Sequence, residues 1–277
     1  MLHISRVRRT GHYSMTVDHF HDAYEMYYLL EGERFYFIEG VTYKIRKGDL
    51  VLIAKYDVHK TLDTGVPDHE RMLISFRESF LSRYEDQLPF LLSCFRPETK
   101  VLRLDPLAQR DVEDTMVRML AAKAQGGTGG DLMLQTLFVQ LLVAVVRACE
   151  QQAGQAETAP GAASQKIEDI VKYINANYAQ PISQADLANR FYVSPSYLSR
   201  TFRKATGFSF SEYVQIVRVK AAQRLLRESG KRIIDIAEMS GFDSVPHFNR
   251  VFRKIMRTTP SQYRKSFAGK HPDSPKR

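Results

Sequence analysis

The chain has 277 residues, a length that predicts about two domains. Its 44% hydrophobic and 26% charged residues are ordinary for a globular protein and exclude wholesale disorder. The charge is uneven along the chain. Residues 1–165 carry 19 Lys and Arg against 22 Asp and Glu, a net charge of −3, whereas residues 166–277 carry 21 against 9, a net charge of +12. The sequence therefore predicts a polyanionic partner for the second half only.

Two further features bear on the compartment. The only cysteines are Cys94 and Cys149, which exclude a disulfide framework and a Cys-rich zinc site and favour a reducing environment. The first residues lack the apolar stretch of a secretory signal, and the apolar segment Leu132–Val146 is too short and too polar to span a bilayer. We therefore expect a cytoplasmic protein that does not associate with membranes.

The first 80 residues read as β-structure. Five short segments rich in aromatic and β-branched residues alternate with Gly-containing turns, a pattern typical of an antiparallel barrel or sandwich. The segments are Glu25–Leu30, Arg34–Ile38, Val41–Ile45, Leu50–Ile53 and Arg71–Phe76.

Helical periodicity begins after Pro106. Asp105–Gln125 carries Val112, Met116, Met119 and Leu120 at helical spacing, and Gly126–Gly130 predicts a break before a second helix capped by Asp131. The second helix has a stripe of apolar residues: Leu134, Leu137, Phe138, Leu141, Leu142 and Val145. We expect an antiparallel pair. The stripes could pack on the β-domain or on each other, and the pair could also form a dimer interface.

The pattern then predicts four regions. Residues 1–150 would form one domain, and the Ala-, Gln- and Gly-rich segment 151–165 a flexible linker. Residues 166–267 would form an all-helical domain, and the polar tail 268–277 would be disordered. The fold class is therefore α+β.

The helical half contains an internal repeat. Tyr197–Lys204 and Tyr213 recur about fifty positions later as His247–Lys254 and Tyr263. An earlier Leu187-Ala188 pair recurs after forty-nine positions as Ile236-Ala237, so the second copy carries one extra residue.

Each copy has the features of a helix-turn-helix. In the first copy, Ser183 is a candidate helix cap, Ser194-Pro195 begins the second helix and Gly207 ends it. In the second copy, Asp243 or Ser244 caps the second helix. The helical pattern of 211–228 joins the two copies with a helix roughly 27 Å long. That length suits two recognition helices in successive major grooves, about 34 Å apart.

The second helix of each copy predicts direct contact with double-stranded DNA. Leu198 and Phe202, like Phe248 and Phe252, must face the core, which leaves polar and cationic residues on the opposite side. Arg can bind guanine bidentately and Asn can bind adenine, while Lys and Arg also bind phosphates. The candidate DNA-binding residues are Ser196, Tyr197, Ser199, Arg200, Arg203, Lys204, Val245, Pro246, His247, Asn249, Arg250, Arg253 and Lys254, with Arg218, Lys220 and Arg257 as further phosphate contacts. For any single arginine the alternative is a solvated helix face.

These motifs resemble those of the AraC/XylS family of transcription regulators. The resemblance covers residues 167–267 and depends mainly on Ser194–Lys204, His247–Lys254 and Thr259–Arg264. It implies two DNA-binding helix-turn-helix units, usually in an activator that contacts RNA polymerase. The base-reading positions of the family correspond to Ser196, Ser199, Arg200, Val245, Pro246, Asn249 and Arg250.

The sequence departs from the family pattern at two places. Arg257 replaces the usual glycine after the second recognition helix. This position predicts either a left-handed residue, at a cost of about 1 kcal/mol, or a different helix end. Val245-Pro246 replaces a commoner polar pair, and because proline lacks a backbone donor this pair favours apolar contact with a thymine methyl group.

The first half resembles the small cupin barrel that many such regulators carry. His19, His21, Glu25 and His59, with Gly32 and Gly48-Asp49, resemble a cupin metal motif, and His19 and His21 would lie on one strand face. The set could hold Zn, Ni, Mn or Fe. It could instead bind an organic effector, with Tyr27, or have a purely structural role. Phe35 and Phe37 could line the same cavity or belong to the core.

Three functions compete. The first is a dimeric transcription regulator, without catalytic residues, that responds to a small-molecule effector. The second is a cupin metalloenzyme with a nucleic-acid-binding appendage, which depends only on the His and Glu residues. The third is an architectural DNA binder whose first domain serves dimerisation alone.

Overall fold

A computed structural model describes residues 2–15, 21–96, 99–152 and 162–267. The chain divides into two compact units, Met1–Ala159 and Pro160–Arg277. The predicted disordered tail 268–277 and the candidate ligand His19 lie outside the described residues.

Unit 1 contains two antiparallel sheets. The five-stranded sheet has the order β1-β7-β2-β5-β8, and the three-stranded sheet has the order β4-β3-β6. The strands are β1 (Leu2–Arg9), β2 (Tyr24–Glu31), β3 (Glu33–Ile38), β4 (Val41–Arg46), β5 (Asp49–Ile53), β6 (His59–Leu62), β7 (His69–Phe76) and β8 (Val101–Arg103). All five predicted strands are present, while β1, β6 and β8 were not predicted.

The two sheets form a sandwich. Alternate residues of the five-stranded sheet, among them Tyr27 and Val51, meet Tyr36 and Ile38 of the three-stranded sheet in one buried cluster. The pairings in the described residues join the strands into two separate sheets and not into a closed barrel, so the predicted antiparallel β-domain is confirmed in its sandwich form. The chain passes from one sheet to the other at Gly32, where φ is 89° and an added Cβ would lie 2.5 Å from the carbonyl oxygen of Asp68.

The other face of the five-stranded sheet packs on helices. After a 3-10 segment (Glu78–Gln87) come α1 (Leu88–Leu91), a second 3-10 turn (Ser93–Phe95), α2 (Pro106–Gln125) and α3 (Gly127–Gln152). The predicted stripes of α2 and α3 are buried in one cluster with Met26, Tyr28 and Met72 of the sheet. Packing on the β-domain is therefore confirmed. Helix α3 is long and apolar enough to cross a membrane by length and composition alone, and the residues of its apolar stripe are buried in this cluster.

The junction between α2 and α3 differs from the prediction. Asp105 caps α2 by accepting hydrogen bonds from the backbone of Leu107 and Ala108. Gly126 ends α2, and α3 already begins at Gly127, so Asp131 does not cap it. Gly130 is needed for close helix contact, since an added Cβ would lie 2.7 Å from the carbonyl oxygen of Ala122.

Unit 2 is helical throughout its regular elements. The helices are α4 (Ala162–Asn177), α5 (Gln184–Arg190), α6 (Pro195–Thr206), α7 (Phe210–Glu228), α8 (Ile233–Met239), α9 (Val245–Met256) and α10 (Pro260–Lys265). Helices enter the predicted linker 151–165 from both sides, because α3 includes Gln151 and Gln152 and α4 begins at Ala162. The core contains the aromatic and aliphatic residues of both repeats, including Phe202, Tyr213, Phe252 and Tyr263.

Candidate nucleic-acid interface and effector site

The first helix-turn-helix consists of α5 and α6. The Ser183 hydroxyl caps α5 and the Ser194 hydroxyl caps α6, each by accepting a backbone N–H three residues later. The turn between the helices places Tyr192 in the left-handed region, with φ at 53° and a side chain that is 93% exposed. Gly207 ends α6 with φ at 77°. The predicted caps and helix end of this copy are confirmed.

The second helix-turn-helix consists of α8 and α9. Gly241, with φ at 82°, occupies the turn position that Tyr192 has in the first copy. Ser244, not Asp243, caps α9 by accepting the N–H of His247. Asp243 is therefore the extra residue of this copy. Pro246 lies in the first turn of α9, where a helix needs no backbone donor.

Helix α7 joins the two copies. It begins with a capping box between Ser209 and Glu212. The Tyr213 hydroxyl donates to Asn175 of α4 at 3.1 Å, and the Gln223 amide donates to the Tyr263 hydroxyl at 3.3 Å. These buried residues hold α4 and α10 against the helix that carries both copies.

Arg218 of α7 does not fit its predicted phosphate contact. Its guanidinium donates to the carbonyl oxygens of Tyr178 at 2.9 Å and Gln180 at 3.0 Å. It also lies directly against Gly241, and burial lowers the pKa of its side chain. Arg218 thus ties the loop after α4 to the turn of the second copy.

The exposed face of α6 carries the predicted polar residues. Leu198 and Phe202 are fully buried, whereas Ser196, Tyr197, Ser199, Arg200, Arg203 and Lys204 are exposed. The Arg200 Nε donates a long bond, 3.4 Å, to the carbonyl of Ser196, which leaves its terminal nitrogens available. Arginine and serine side chains in this position can contact base edges and phosphates.

The exposed face of α9 is similar but more strongly cationic. Phe248 and Phe252 are fully buried, Pro246, Asn249, Arg250, Arg253 and Lys254 are exposed, and Val245 is half-buried. The ring of His247 packs edge-on against Phe242, with ring centroids 5.7 Å apart, so this residue contributes to the packing of the turn. An open groove of about 850 Å³ runs between α9 and the start of α10, and its lining includes four cationic side chains: Arg250, Arg253, Lys254 and Arg257.

Arg257 ends α9 in the left-handed conformation, with φ at 56° and ψ at 15°. Of the two predicted outcomes, the left-handed residue is correct. The strained backbone directs an arginine into the cationic groove, at a place where a glycine would leave a gap.

In unit 1, a polar cluster lies between the two sheets. The donor atoms of His21, Glu25 and His59 lie within 4.8 Å of one another. The His21 Nε2 contacts Glu25 Oε2 at 3.2 Å, and the Tyr36 hydroxyl donates to Glu25 Oε1 at 3.1 Å. Three of the four predicted ligands are thus together. His21 lies three residues before β2 and outside any strand, so the predicted strand placement of this residue is wrong.

The pKa values of the two histidines are shifted in opposite directions. Burial lowers the pKa of His21, but the hydrogen bond and charge of Glu25 outweigh it and leave the pKa raised. Burial lowers the pKa of His59, which is fully buried. Its Nδ1 donates to the carbonyl oxygen of Asp57 at 2.8 Å, so Nε2 carries the lone pair. The cluster therefore combines a His21–Glu25 hydrogen bond, which favours the protonated form of His21, with a neutral imidazole at His59.

These residues suit a divalent metal in donor type, because imidazole and carboxylate oxygen are the ligands that Zn and Fe prefer. The described cluster supplies three donors, and the neutral His59 Nε2 has the protonation state that a metal ligand needs. Of the predicted cavity residues, Tyr27 faces this interior, whereas Phe35 and Phe37 alternate with Tyr36 and face the other side of their sheet.

Both halves of the chain are similar to known protein families. Residues 3–142 match the AraC-like ligand binding domain, and residues 187–266 match a helix-turn-helix domain. The chain belongs to the AraC family of transcription regulators. The resemblance to this family seen in the sequence is therefore confirmed.

Individual relatives differ in coverage. The uncharacterized HTH-type transcriptional regulator YijO of Escherichia coli is 29% identical over 158 residues, which are 53% of this chain and 56% of that protein. The HTH-type transcriptional activator RhaR of Mannheimia succiniciproducens is 23% identical over 91% of this chain and 88% of that protein. Among solved structures, ToxT of Vibrio cholerae aligns with 97% of this chain and 98% of its own at 18% identity, with a TM-score of 0.38.

Sequence reasoning missed a second polar group in this AraC-family sandwich. Arg34 is 1% exposed and points between the sheets, as does the half-buried Arg71 of β7. The guanidinium of Arg71 lies 5.4 Å from the centre of the Tyr27 ring. The signal in the sequence was an arginine at an inward position of two predicted strands, which alternation alone could have identified.

Proposed function

We propose that the protein is a cytoplasmic, sequence-specific DNA-binding regulator that activates transcription in response to a small molecule bound in unit 1. The observation that carries this proposal is the pair of helix-turn-helix copies, each with a buried apolar face and an exposed face of arginine, together with serine in α6 and asparagine in α9. The activity is binding rather than catalysis, and contact with RNA polymerase is an expectation from the family.

The two recognition faces divide into base and phosphate contacts. We assign base contacts to Ser196, Ser199 and Arg200 of α6, and to Val245, Pro246, Asn249 and Arg250 of α9. The exposed Arg203, Lys204, Arg253 and Lys254, with Arg257 in the groove, are assigned to phosphates, because they lie toward the ends of the helices. Tyr197, 41% exposed, lies beside the α6 set, while His247 acts through the packing of its turn.

Two variants, Arg200→Ala and Lys254→Ala, test the assignment of base and phosphate contacts. The operator is first selected from random DNA with the full chain. Arg200→Ala should then lose about 1–3 kcal/mol of affinity for that site and tolerate substitution of one base pair. Lys254→Ala should weaken binding to all sequences and reduce the slope of affinity against salt by about one. Lys172→Ala on α4, exposed but outside both faces, is the control.

Two outcomes would remove the proposal. If Arg200→Ala binds the selected site as tightly as Lys172→Ala, α6 does not read bases. If the full chain selects no sequence from random DNA, the protein is an architectural binder at most.

We propose that the effector occupies the sandwich beside His21, Glu25, Tyr27 and His59, together with His19. An effector changes DNA binding only if its affinity differs between the arrangements of the basic unit with and without operator. The arrangement is that of a homodimer joined through α2 and α3, whose exposed apolar residues include Val117 (47%) and Leu132 (56%). Sedimentation of Leu132→Glu and of Val66→Glu, an exposed control (43%) before β7 and outside α2 and α3, tests the dimer: only the first should dissociate.

A metal ion is the second candidate for the effector. The convergence of His21, Glu25 and His59 favours it. Metal analysis of tag-free protein should then find one divalent ion per chain, which is lost in His59→Ala. Operator affinity measured with and without chelator would link the ion to regulation, and turnover of any substrate would instead favour an enzyme.

A further inference from the structure

The interior of the sandwich contains a guanidinium with unfilled hydrogen-bonding capacity. Arg34 is 1% exposed, and its Nη2 donates to the carbonyl oxygen of Tyr13. Its Nη1 lies 3.9 Å from Asp63 Oδ1, beyond hydrogen-bonding distance. Within the described parts of the chain, no acceptor reaches its buried Nε.

Two neighbouring donors, on Arg71 and Tyr27, also have unfilled hydrogen-bonding capacity. The register of β7 with β2 pairs Arg71 with Leu29, which places Arg71 on the face that also carries Tyr27. The Arg71 guanidinium lies over the Tyr27 ring at 5.4 Å. The buried Arg71 Nη1 and the Tyr27 hydroxyl likewise find no partner among residues 2–15, 21–96 and 99–152. The charges of both arginines act on the Tyr27 hydroxyl, so the three groups are close together.

The surrounding charges do not neutralise this group. Arg9 lies nearby, with its guanidinium 4.5 Å from the centre of the Tyr13 ring. Asp63 is the nearest carboxylate, and it also binds His12 at 2.7 Å. His69, whose ring is tilted against that of Tyr13 with the centroids 6.1 Å apart, remains neutral at pH 7, because burial and the charges of Arg34 and Arg71 lower its pKa to about 4. The cluster therefore keeps two guanidinium groups with unfilled donors inside the fold, and the carboxylate beside Arg34 is shared with His12.

We propose that Arg34, Arg71 and Tyr27 form the subsite for the carboxylate group of an anionic effector. This inference rests on the proposed effector-binding function and names the chemical class of the ligand. Buried guanidinium donors are stabilised when they bind a carboxylate, whose two oxygens accept parallel hydrogen bonds. Water can fill the donors but does not neutralise the charge. The Tyr27 hydroxyl adds a third donor, as expected for an acceptor with several lone pairs.

The same interior has an opposite pole. Tyr27 lies between the arginines and Glu25, whose charge also acts on its hydroxyl. The ligand would therefore place its carboxylate at Arg34 and Arg71 and a hydrogen-bonding group or cation toward Glu25 and His21. A neutral sugar or an aliphatic amine would not match the cationic end.

Thermal unfolding of the full chain tests the subsite. The probes are sodium acetate, succinate and benzoate, compared with acetamide, succinamide and benzamide at constant ionic strength, and inorganic phosphate is a separate arm. At least one carboxylate at saturation should raise the melting temperature by about 5 °C, and its amide should not. A shift with phosphate alone would assign the subsite to phosphoryl ligands and overturn the carboxylate assignment.

Arg71→Met and Arg34→Met separate binding from structure. Removal of a buried guanidinium whose hydrogen bonds are only partly filled should leave the melting temperature without ligand unchanged or higher, and should abolish the carboxylate shift. Arg46→Met, an exposed arginine of β4, should keep both values. The inference fails if the buried variants unfold at lower temperature than Arg46→Met, or if amides and carboxylates act alike. Since no DNA is present, this failure is independent of the operator-binding test.

Discussion

The turn of the second helix-turn-helix depends on a glycine. Gly241 has φ at 82°, and an added Cβ would lie 2.5 Å from the carbonyl oxygen of Tyr178 and 3.0 Å from the Cα of Ala179. It would also lie 2.9 Å from Arg218 Nε, which itself binds the Tyr178 carbonyl. The neighbours are backbone atoms and a fixed guanidinium, so none can move without breaking the contact between this turn and the loop after α4.

We therefore predict that Gly241→Ala strongly destabilises unit 2. The left-handed conformation costs alanine about 1–2 kcal/mol, and the added methyl group in a filled space costs about 1–3 kcal/mol more. The sum, roughly 2–5 kcal/mol, is a large part of the total stability of a typical domain, about 5–15 kcal/mol.

Urea denaturation of the full chain, followed by circular dichroism at a helical wavelength, measures this effect. Gly230→Ala is the matched control, since the added Cβ meets no atom within 4 Å and its φ is ordinary. It should stay within about 0.5 kcal/mol of the parent. Footprinting should show loss of protection at the half-site of α9 before that of α6. Equal stability of Gly241→Ala and Gly230→Ala would refute the reasoning.

Three further variants test other contacts. Arg257→Gly should raise the free energy of unfolding by up to about 1 kcal/mol, because glycine relieves the left-handed strain, while DNA affinity falls; a loss of both would contradict the strain. Lys100→Met should lower the free energy of unfolding by about 3–5 kcal/mol, since it leaves Asp57, bound to Lys100 at 2.6 Å, buried without its cation. The control Lys44→Met, at an exposed ion pair, should lower it by less than about 1 kcal/mol. The pKa of His69 in the folded protein, about 4, lies below its unfolded value, so its contribution to the free energy of unfolding is present above pH 6.5 and is lost as the pH falls toward 4. Between pH 7 and pH 5 the parent protein should lose about 2 kcal/mol of stability in this way. Denaturation of His69→Asn at both pH values should show that this loss is absent.

The helical unit was the more predictable half. Its caps, helix ends and buried faces depend on local signals such as Ser194-Pro195 and Gly207, which act within a few residues and are visible in one sequence. The repeat also reveals equivalent positions, so each copy supports the interpretation of the other. The role of Arg218 escaped prediction because its partners, the carbonyls of Tyr178 and Gln180, are about 40 residues away.

The β-unit was predictable in its central strands only. The edge strands β1 and β8 carry fewer aromatic residues, and their positions depend on pairing with β7 and β5 rather than on composition. Closure into a barrel or separation into two sheets is likewise a matter of non-local pairing. The His21–Glu25–His59 cluster followed from its resemblance to a cupin motif. Strand alternation could place Arg34 and Arg71 on inward faces, but only the register of β3 and β7 brings them together.

The five-stranded sheet separates two environments, the interior between the sheets on one face and helices α2 and α3 on the other. On β2, Tyr27 faces the arginines while the next residue, Tyr28, donates its hydroxyl to Glu113 of α2 at 2.7 Å. On β7, Arg71 and Met72 divide in the same way. Only one peptide bond thus separates the residues that line the proposed effector site from those that contact the helices. A strand that shifts toward a bound effector on one face therefore shifts the residues that contact α2 and α3 on the other face.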